Sequence, residues 1–262
     1  MRVIIKNNSS DCAAWVAGYI AYSIKKAKPS AKKPFVLGLP TGSTPLGVYK
    51  ELIKLYQNKK ISFEHVVTFN MDEYIGLSPK DKNSYHYFMY ENFFNYININ
   101  PKNIHILNGL TKDYAKECED YEKAIKAYGG IDLMLGGIGS DGHIAFNEPF
   151  SSFTSRTRIK TLAPSTIKDN SRFFDNDISK VPTQALTIGI GTIMDAKEVI
   201  IMATGENKAE AIKSTIEEPI NHKCPASILQ MHRYGIMVCD EDATKKLSSS
   251  TTQYFKGIEN RM

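Results

Sequence analysis

The chain alternates short apolar runs with stretches of helical period. Cys12, Trp15, Val16, Tyr19, Ile20 and Ile24 recur at helical spacing and predict an amphipathic helix over 11–28. FVLGL at 35–39 is rich in strand formers, and helical period returns over 45–57 through Tyr49, Leu52, Ile53 and Tyr56. HVVTFN (65–70) reads as another strand. Ser84 is a suitable N-cap for a helix placing Tyr85, Phe88 and Met89 on one face. Tyr114, Cys118, Tyr121, Ile125 and Tyr128 predict a further helix, which Gly129 and Gly130 end. IDLMLGG (131–137), ALTIGIG (185–191), EVIIMAT (198–204) and YGIMVCD (234–240) complete the strand candidates.

Strands alternating with helices predict an α/β fold, an open and mostly parallel sheet covered by helices on both faces. Residues 150–182 are rich in Ser, Thr and Asn and only weakly periodic, which suggests a lid-like excursion from a single domain over 1–262. Apolar residues at 42% and charged residues at 23% exclude a disordered chain. No apolar run reaches the roughly 18 residues of a membrane helix, and the N-terminus lacks the apolar core of a signal peptide. A cytoplasmic protein without membrane partners is expected. The four cysteines show no C-x-x-C spacing and read as free thiols. The net charge of +5 is spread without a basic block, so no nucleic-acid partner is expected.

In sheets of this kind ligands bind beyond the carboxyl ends of strands, so the loops after the apolar runs carry the interest. In LPTGSTPLGVY, Thr44 suits an N-cap and Pro45 the first helical position. Thr41, Gly42 and Ser43 let backbone N–H groups converge at that helix N-terminus, a place that favours a phosphate. An ordinary tight βα turn fits the same residues. In FNMDEYIGL, Asp72 and Glu73 stand beside apolar Met71 and Tyr74. An acid partly dried at a strand end gains proton affinity and becomes a usable base. A loop charge or helix cap is the competing reading. In LGGIGSDGHIAFNEP, glycines flank Asp141 and His143, with Glu148 following. Two residues apart, Asp141 and His143 point the same way in extended backbone, and carboxylates set a histidine's tautomer. Arg172 and Lys208 are cations able to close on a phosphate. The remaining histidines have no metal-ligand spacing, so neither a metal nor another cofactor is expected. Together these residues suggest acid–base proton transfer on a small phosphorylated substrate.

The stretches LGLPTGSTPLGVYKEL, VVTFNMDEYIGL with SYHYFM, GGIGSDGHIAFNEP, SRTRIKTL, NSRFFD, ALTIGIGTIMDAKEVIIMATGENKA and LQMH together closely resemble the glucosamine-6-phosphate deaminase (isomerase) family. The resemblance implies a Rossmann-like fold. It implies a hydrolase that opens the ring of glucosamine 6-phosphate, isomerises aldose to ketose and releases ammonium from C2, leaving fructose 6-phosphate. By position, Asp72 resembles the base at C2. His143 resembles the ring-opening residue, with Asp141 and Glu148 as partners. Thr41, Gly42, Ser43, Thr44, Arg172 and Lys208 resemble the phosphate ligands. Ser151, Arg158, Lys160, Thr161 and Tyr254 match positions that bind the activator N-acetylglucosamine 6-phosphate in hexameric members, so a homo-oligomer, a hexamer by preference, is implied. NHKCPASILQMH after His222 departs from that branch and resembles a shorter, often unregulated one. The alternatives are a 6-phosphogluconolactonase-like hydrolase, which shares the fold and a related Gly-x-Asp-Gly-His loop, and a sugar-phosphate-binding regulator without catalysis.

Overall fold

A computed structural model describes residues 1–259. The chain begins with β1 (Arg2–Lys6), α1 (Ser9–Ala27), β2 (Phe35–Leu39), α2 (Leu46–Gln57), β3 (Val66–Asn70) and β4 (Asp72–Tyr74). It continues through α3 (Tyr85–Asn92), β5 (Ile104–His105), α4 (Tyr114–Ala127), β6 (Leu133–Gly137), β7 (Arg158–Thr161) and α5 (Pro164–Asn170). It ends with β8 (Gln184–Thr187), α6 (Ile190–Met194), β9 (Glu198–Ala203), α7 (Ala209–Ile216), β10 (Gly235–Asp240) and α8 (Ser249–Glu259). Seven strands pair in the order β1-β10-β9-β6-β2-β3-β5, every pair parallel. This is the open α/β sheet that the alternating pattern predicts.

Strand side chains alternate between the two faces, and two cores follow. Val36, Met134, Ile201 and Met237 join one buried cluster; Leu37, Leu133, Leu135, Ile200 and Val238 join the other, beneath α1 and α2. Both faces are covered, so the strands read as continuous apolar runs. Among the described residues no helix is long and apolar enough to cross a membrane.

A second sheet stands beside the first. β4, β8 and β7 pair antiparallel in that order, over a small core of Tyr74, Phe146, Leu162, Phe174, Val181 and Ala185. The 150–182 excursion supplies β7, α5 and two short 3-10 turns to this layer, so it is more ordered than its weak periodicity suggests.

Three local expectations are corrected and one strand is added. ALTIGIG is not a strand of the main sheet: β8 ends at Thr187, Gly189 packs against the backbone of Ser155, and α6 starts at Ile190. The run is apolar because a buried strand–turn–helix is as dry as a parallel strand, a case that periodicity cannot separate. Residues 72–74 form a strand rather than a loop. Arg2–Lys6 is an edge strand beside β10, too short to show a period. Finally, α2 starts at Leu46 with Pro45 in the cap position, one residue later than expected and without a side-chain cap from Thr44.

Leu37 is fully buried in the central strand β2. Leu37→Ala removes its packing on one face only, and is expected to cost about 2–5 kcal/mol in urea unfolding with the sheet retained by circular dichroism.

Candidate active site

From β2 the chain steps outward through β3 to β5, then returns to β6 on the other side of β2 and steps outward again through β9 and β10. Loops leaving either side of such a switch point diverge and open a crevice beyond the strand ends. The loops after β9, β6, β2 and β3 therefore lie side by side. Each carries residues singled out in the sequence.

The loop after β2 lines the cleft with Thr41, Gly42, Ser43 and Thr44. Gly42 has φ 92°, a conformation open to glycine at little cost. Behind it α2 begins with no side-chain cap, leaving first-turn N–H groups and the positive helix end for an anion. Lys208, from the loop after β9, and Arg172, from the turn after α5, line the same cleft. Burial, reinforced by the Arg172 charge, holds the Lys208 ammonium below the ordinary lysine range. Two cations turned toward one space attract a doubly charged group such as a phosphate. The Lys208 loop is anchored from β10: Asp240 accepts the Gly205 N–H at 2.9 Å and the Ala243 N–H at 2.9 Å.

Asp72 opens β4 directly beyond β3 and is 7% exposed. Burial pushes its carboxyl up to about 8, and the neighbouring Glu73 charge adds to the rise. A carboxyl of that affinity is suited to take up a proton near neutral pH.

The loop after β6 holds Asp141 and His143. His143 Nδ1 lies 2.7 Å from Asp141 Oδ1, and the His143 backbone N–H donates to the same oxygen at 3.1 Å. Burial works against the Asp141 anion, but the bonds from His143 outweigh it and hold the carboxyl below its usual range. The pair meets through a turn rather than through extended backbone, because Gly142 between them has φ 85°. The turn is braced by the segment after His222: Ala226 N–H donates to Gly142 O at 2.9 Å, and Cys224 packs against Gly142.

Glu148 is buried at 5% exposure. Its Oε1 accepts the Ala163 N–H at 3.1 Å and the Thr166 hydroxyl at 2.7 Å, both at the start of α5. Its Oε2 has no partner among the described residues. Asp141, His143 and Glu148 each bring a nitrogen or oxygen within 4.8 Å of the others, the one such group among the described residues. Tetrahedral metal ligands with bonds of about 2.0–2.1 Å stand about 3.3 Å apart. The 2.7 Å Asp141–His143 separation is therefore shorter than that of two ligands on one such ion, and it is the close carboxylate–imidazole approach that proton transfer uses.

Sequence reasoning gave no site role to Tyr85, Asp169, Asn170 and Phe173, which also line the cleft. Asn170 Nδ2 donates to the Tyr74 hydroxyl at 2.8 Å, tying α5 to β4. The readable signal for Tyr85 was the helix face it shares with Phe88 and Met89.

Of the residues matched to an activator site, Arg158 and Lys160 share the less exposed face of β7. Lys160 Nζ reaches the buried Ser151 hydroxyl at 3.4 Å. Thr161 is on the opposite, exposed face. Tyr254 lies on α8 and lines a separate groove with Glu217, Ser248 and Thr251, so a single chain does not assemble all five.

Residues 7–238 match the family described as glucosamine-6-phosphate isomerases/6-phosphogluconolactonase. The glucosamine-6-phosphate deaminase of Treponema denticola is 61% identical over 259 residues, 99% of this chain and 96% of that protein. The solved structure of a monomeric glucosamine-6-phosphate deaminase is 40% identical, with a TM-score of 0.89 over 93% of this chain and 98% of that one. A 6-phosphogluconolactonase from Trypanosoma cruzi shares the fold at 18% identity, with a TM-score of 0.73 over 94% of this chain and 97% of that one.

The burial of Asp72 has a thermodynamic signature. Its folded-state affinity is raised, so its contribution to stability is fully present below its ordinary value of 3.8 and is lost as pH rises toward about 8. Asp72→Asn removes that loss. It is expected to melt at a higher temperature than the parent at pH 8.5, with the gap closing below pH 4, as read by calorimetry across pH.

Proposed function

The chain belongs to the glucosamine-6-phosphate isomerase/6-phosphogluconolactonase family, and we infer from this premise that it converts glucosamine 6-phosphate and water to fructose 6-phosphate and ammonium. The observation that carries the reading is the arrangement of one cleft. Two cations, an uncapped helix start, a dried carboxylate and His143 line it together, with Asp141 and Glu148 close to His143.

Arg172, Lys208 and the backbone N–H groups of Thr41, Gly42, Ser43 and Thr44 hold the phosphate. His143, with Asp141 and Glu148 close beside it, moves the proton between O1 and the ring oxygen that opens the pyranose. Asp72 takes the C2 proton and returns it at C1, while O1 gains a proton and the nitrogen loses one, converting the open-chain amino aldose to the 2-imino ketose form. Water then adds at C2, and the C2–N bond breaks as a carbonyl forms. The nitrogen leaves as ammonium, so the net reaction is hydrolytic. Ring opening and isomerisation are proton transfers that the side chains of the cleft wall can carry, and the sequence of steps changes no overall oxidation state.

The deaminase reading is favoured over lactone hydrolysis by the high identity to deaminases, whereas the lactonase likeness extends only to the fold. A regulator without catalysis leaves the burial of Asp72 and the unpaired Glu148 oxygen unexplained, since both cost stability unless used. Four free, buried cysteines suit a reducing cytoplasm. The separation of Tyr254 from Ser151, Arg158 and Lys160 suits an activator site for N-acetylglucosamine 6-phosphate completed by a second copy in a homo-oligomer, with a hexamer as the favoured form.

Purified protein is expected to release ammonia and fructose 6-phosphate from glucosamine 6-phosphate; lactone hydrolysis without ammonia would overturn the reading. Asp72→Asn is expected to keep substrate binding and lose C2 proton exchange by about 100-fold or more, measured as deuterium uptake at C2. His143→Gln is expected to slow closed-ring substrate more than an open-chain analogue, and equal losses on both refute the ring-opening role. For the activator, a rate titration with N-acetylglucosamine 6-phosphate at subsaturating substrate, paired with mass measurement in solution, is expected to show activation of an oligomer. A flat response from a monomer counts against it.

A further inference from the structure

Glu73 is 2% exposed, immediately after the base, and the proton-transfer scheme makes no use of it. Along β4 the side chains alternate, so Asp72 and Glu73 leave opposite faces of the strand. The Glu73 carboxylate crosses to the N-terminus of α3. Its Oε1 accepts the N–H groups of Tyr74 at 2.8 Å and Tyr85 at 2.9 Å, and its Oε2 accepts that of His86 at 2.8 Å. Ser84 completes the cap, its hydroxyl accepting the Tyr87 N–H at 3.0 Å. The first N–H groups of α3, ordinarily without partners, are thus filled mainly by a residue from another element.

All three groups facing the Glu73 carboxylate are donors. An ionised carboxylate matches them, whereas an amide would set its NH2 against an N–H. The residue fixed by these bonds is Tyr85, whose ring lines the cleft beside Asp72 and lies 4.8 Å from that of Tyr74. One carboxylate therefore joins the backbone that carries the base to the helix that walls it in.

We propose that Glu73 is a positioning residue for the C2 base, locking β4 and α3 so that Asp72 and Tyr85 face one reacting centre, and keeping a negative charge beside the base. The proposal rests on Asp72 being that base. Burial raises both carboxyls, Asp72 to about 8 with the Glu73 charge as the second cause, and Glu73 to about 7 against its three N–H bonds. They titrate as a pair. The other groups facing Asp72 are Tyr49 of α2, Tyr74 of β4, Tyr85 of α3 and Tyr121 of α4, each pushed upward by burial and so neutral. His143, Asp169, Arg172 and Lys208 stand on the cleft wall. Asp81 faces Glu73.

The test is the pH dependence of kcat and of C2 proton exchange on glucosamine 6-phosphate for the parent, Glu73→Gln, Glu73→Asp, Ser84→Ala and Asp72→Asn. Removing the Glu73 charge lowers the proton affinity of Asp72. The acid limb of Glu73→Gln is therefore expected to move down by about one pH unit, and its plateau kcat to fall about tenfold as the base weakens and its geometry loosens. KM is expected to stay within about twofold, because the phosphate ligands sit on other loops. Glu73→Asp keeps the charge but shortens the reach, so its acid limb is expected to hold while kcat falls about threefold or more. Ser84→Ala weakens the same helix start without touching the charge, and is expected to lower the melting temperature with the acid limb unmoved. An unmoved limb in Glu73→Gln, or an equal displacement in Ser84→Ala, overturns the proposal and leaves Glu73 a helix cap. If Glu73→Gln does not fold, an unchanged kcat in Glu73→Asp overturns it equally. Asp72→Asn separates the two readings: retained exchange there defeats the base assignment, whereas lost exchange with an unmoved limb in Glu73→Gln defeats only the role of Glu73.

Discussion

Asp72 is held almost dry where the main sheet hands the chain to the smaller one, and its immediate charged neighbour is another carboxylate. A lone exposed aspartate would be ionised and weakly basic, too feeble to take a proton from carbon. The desolvation that makes it useful has to be supplied by packing. Met71, Tyr74 and Phe146 supply much of it, all buried beside the cleft. The second sheet has this as one of its tasks, since β4, β8 and β7 close over a core that includes Tyr74 and Phe146.

The excursion between β6 and β8 does more than cover. Glu148 divides its two oxygens, one accepting bonds from the start of α5 and the other left unbonded, while its carboxylate lies near His143. Arg172 follows directly after α5. The helix that satisfies half of Glu148 therefore also leads to Arg172 on the cleft wall, and Asn170 at its end returns to Tyr74. One seven-residue element thus ties together three separate walls of the cleft.

Much of this was legible in the sequence, for identifiable reasons. FVLGL was read within its true bounds because a fully buried parallel strand is continuously apolar and ends sharply at Pro40. Helix α4 was clear from its four- and three-residue spacing and from Gly129 and Gly130, both at positive φ. The cleft loops were found because glycines and charges after apolar runs are rare except where a ligand sits. The small sheet was not legible. β4 has three residues and β7 four, too few to show a period, and the pairing of β4 with β8 joins segments more than a hundred residues apart. The turn joining Asp141 to His143 was misread as extended because two-residue spacing suits a strand and a Gly-centred turn alike. For Glu73 the sequence left a dried acid and a helix cap both open, since nothing local says which helix, twelve residues away, a carboxylate will cap.

Parallel strands lie about 4.8 Å apart, and the loops bearing Lys208, His143, Thr41 to Thr44 and Asp72 leave four adjacent strands. From the Lys208 loop to the Asp72 loop is three such intervals, about 14 Å at the backbone, less what the side chains reach inward. The sheet is thus a ruler whose divisions are set by hydrogen-bond geometry and cannot be retuned by a point mutation. The Thr41–Thr44 loop leaves the strand next to the one that leads to Asp72, whereas Lys208 stands three strands away, so the groups around the cleft are spaced by the backbone itself. A ligand in the cleft meets those spacings as given, and only the reach of the side chains adjusts them.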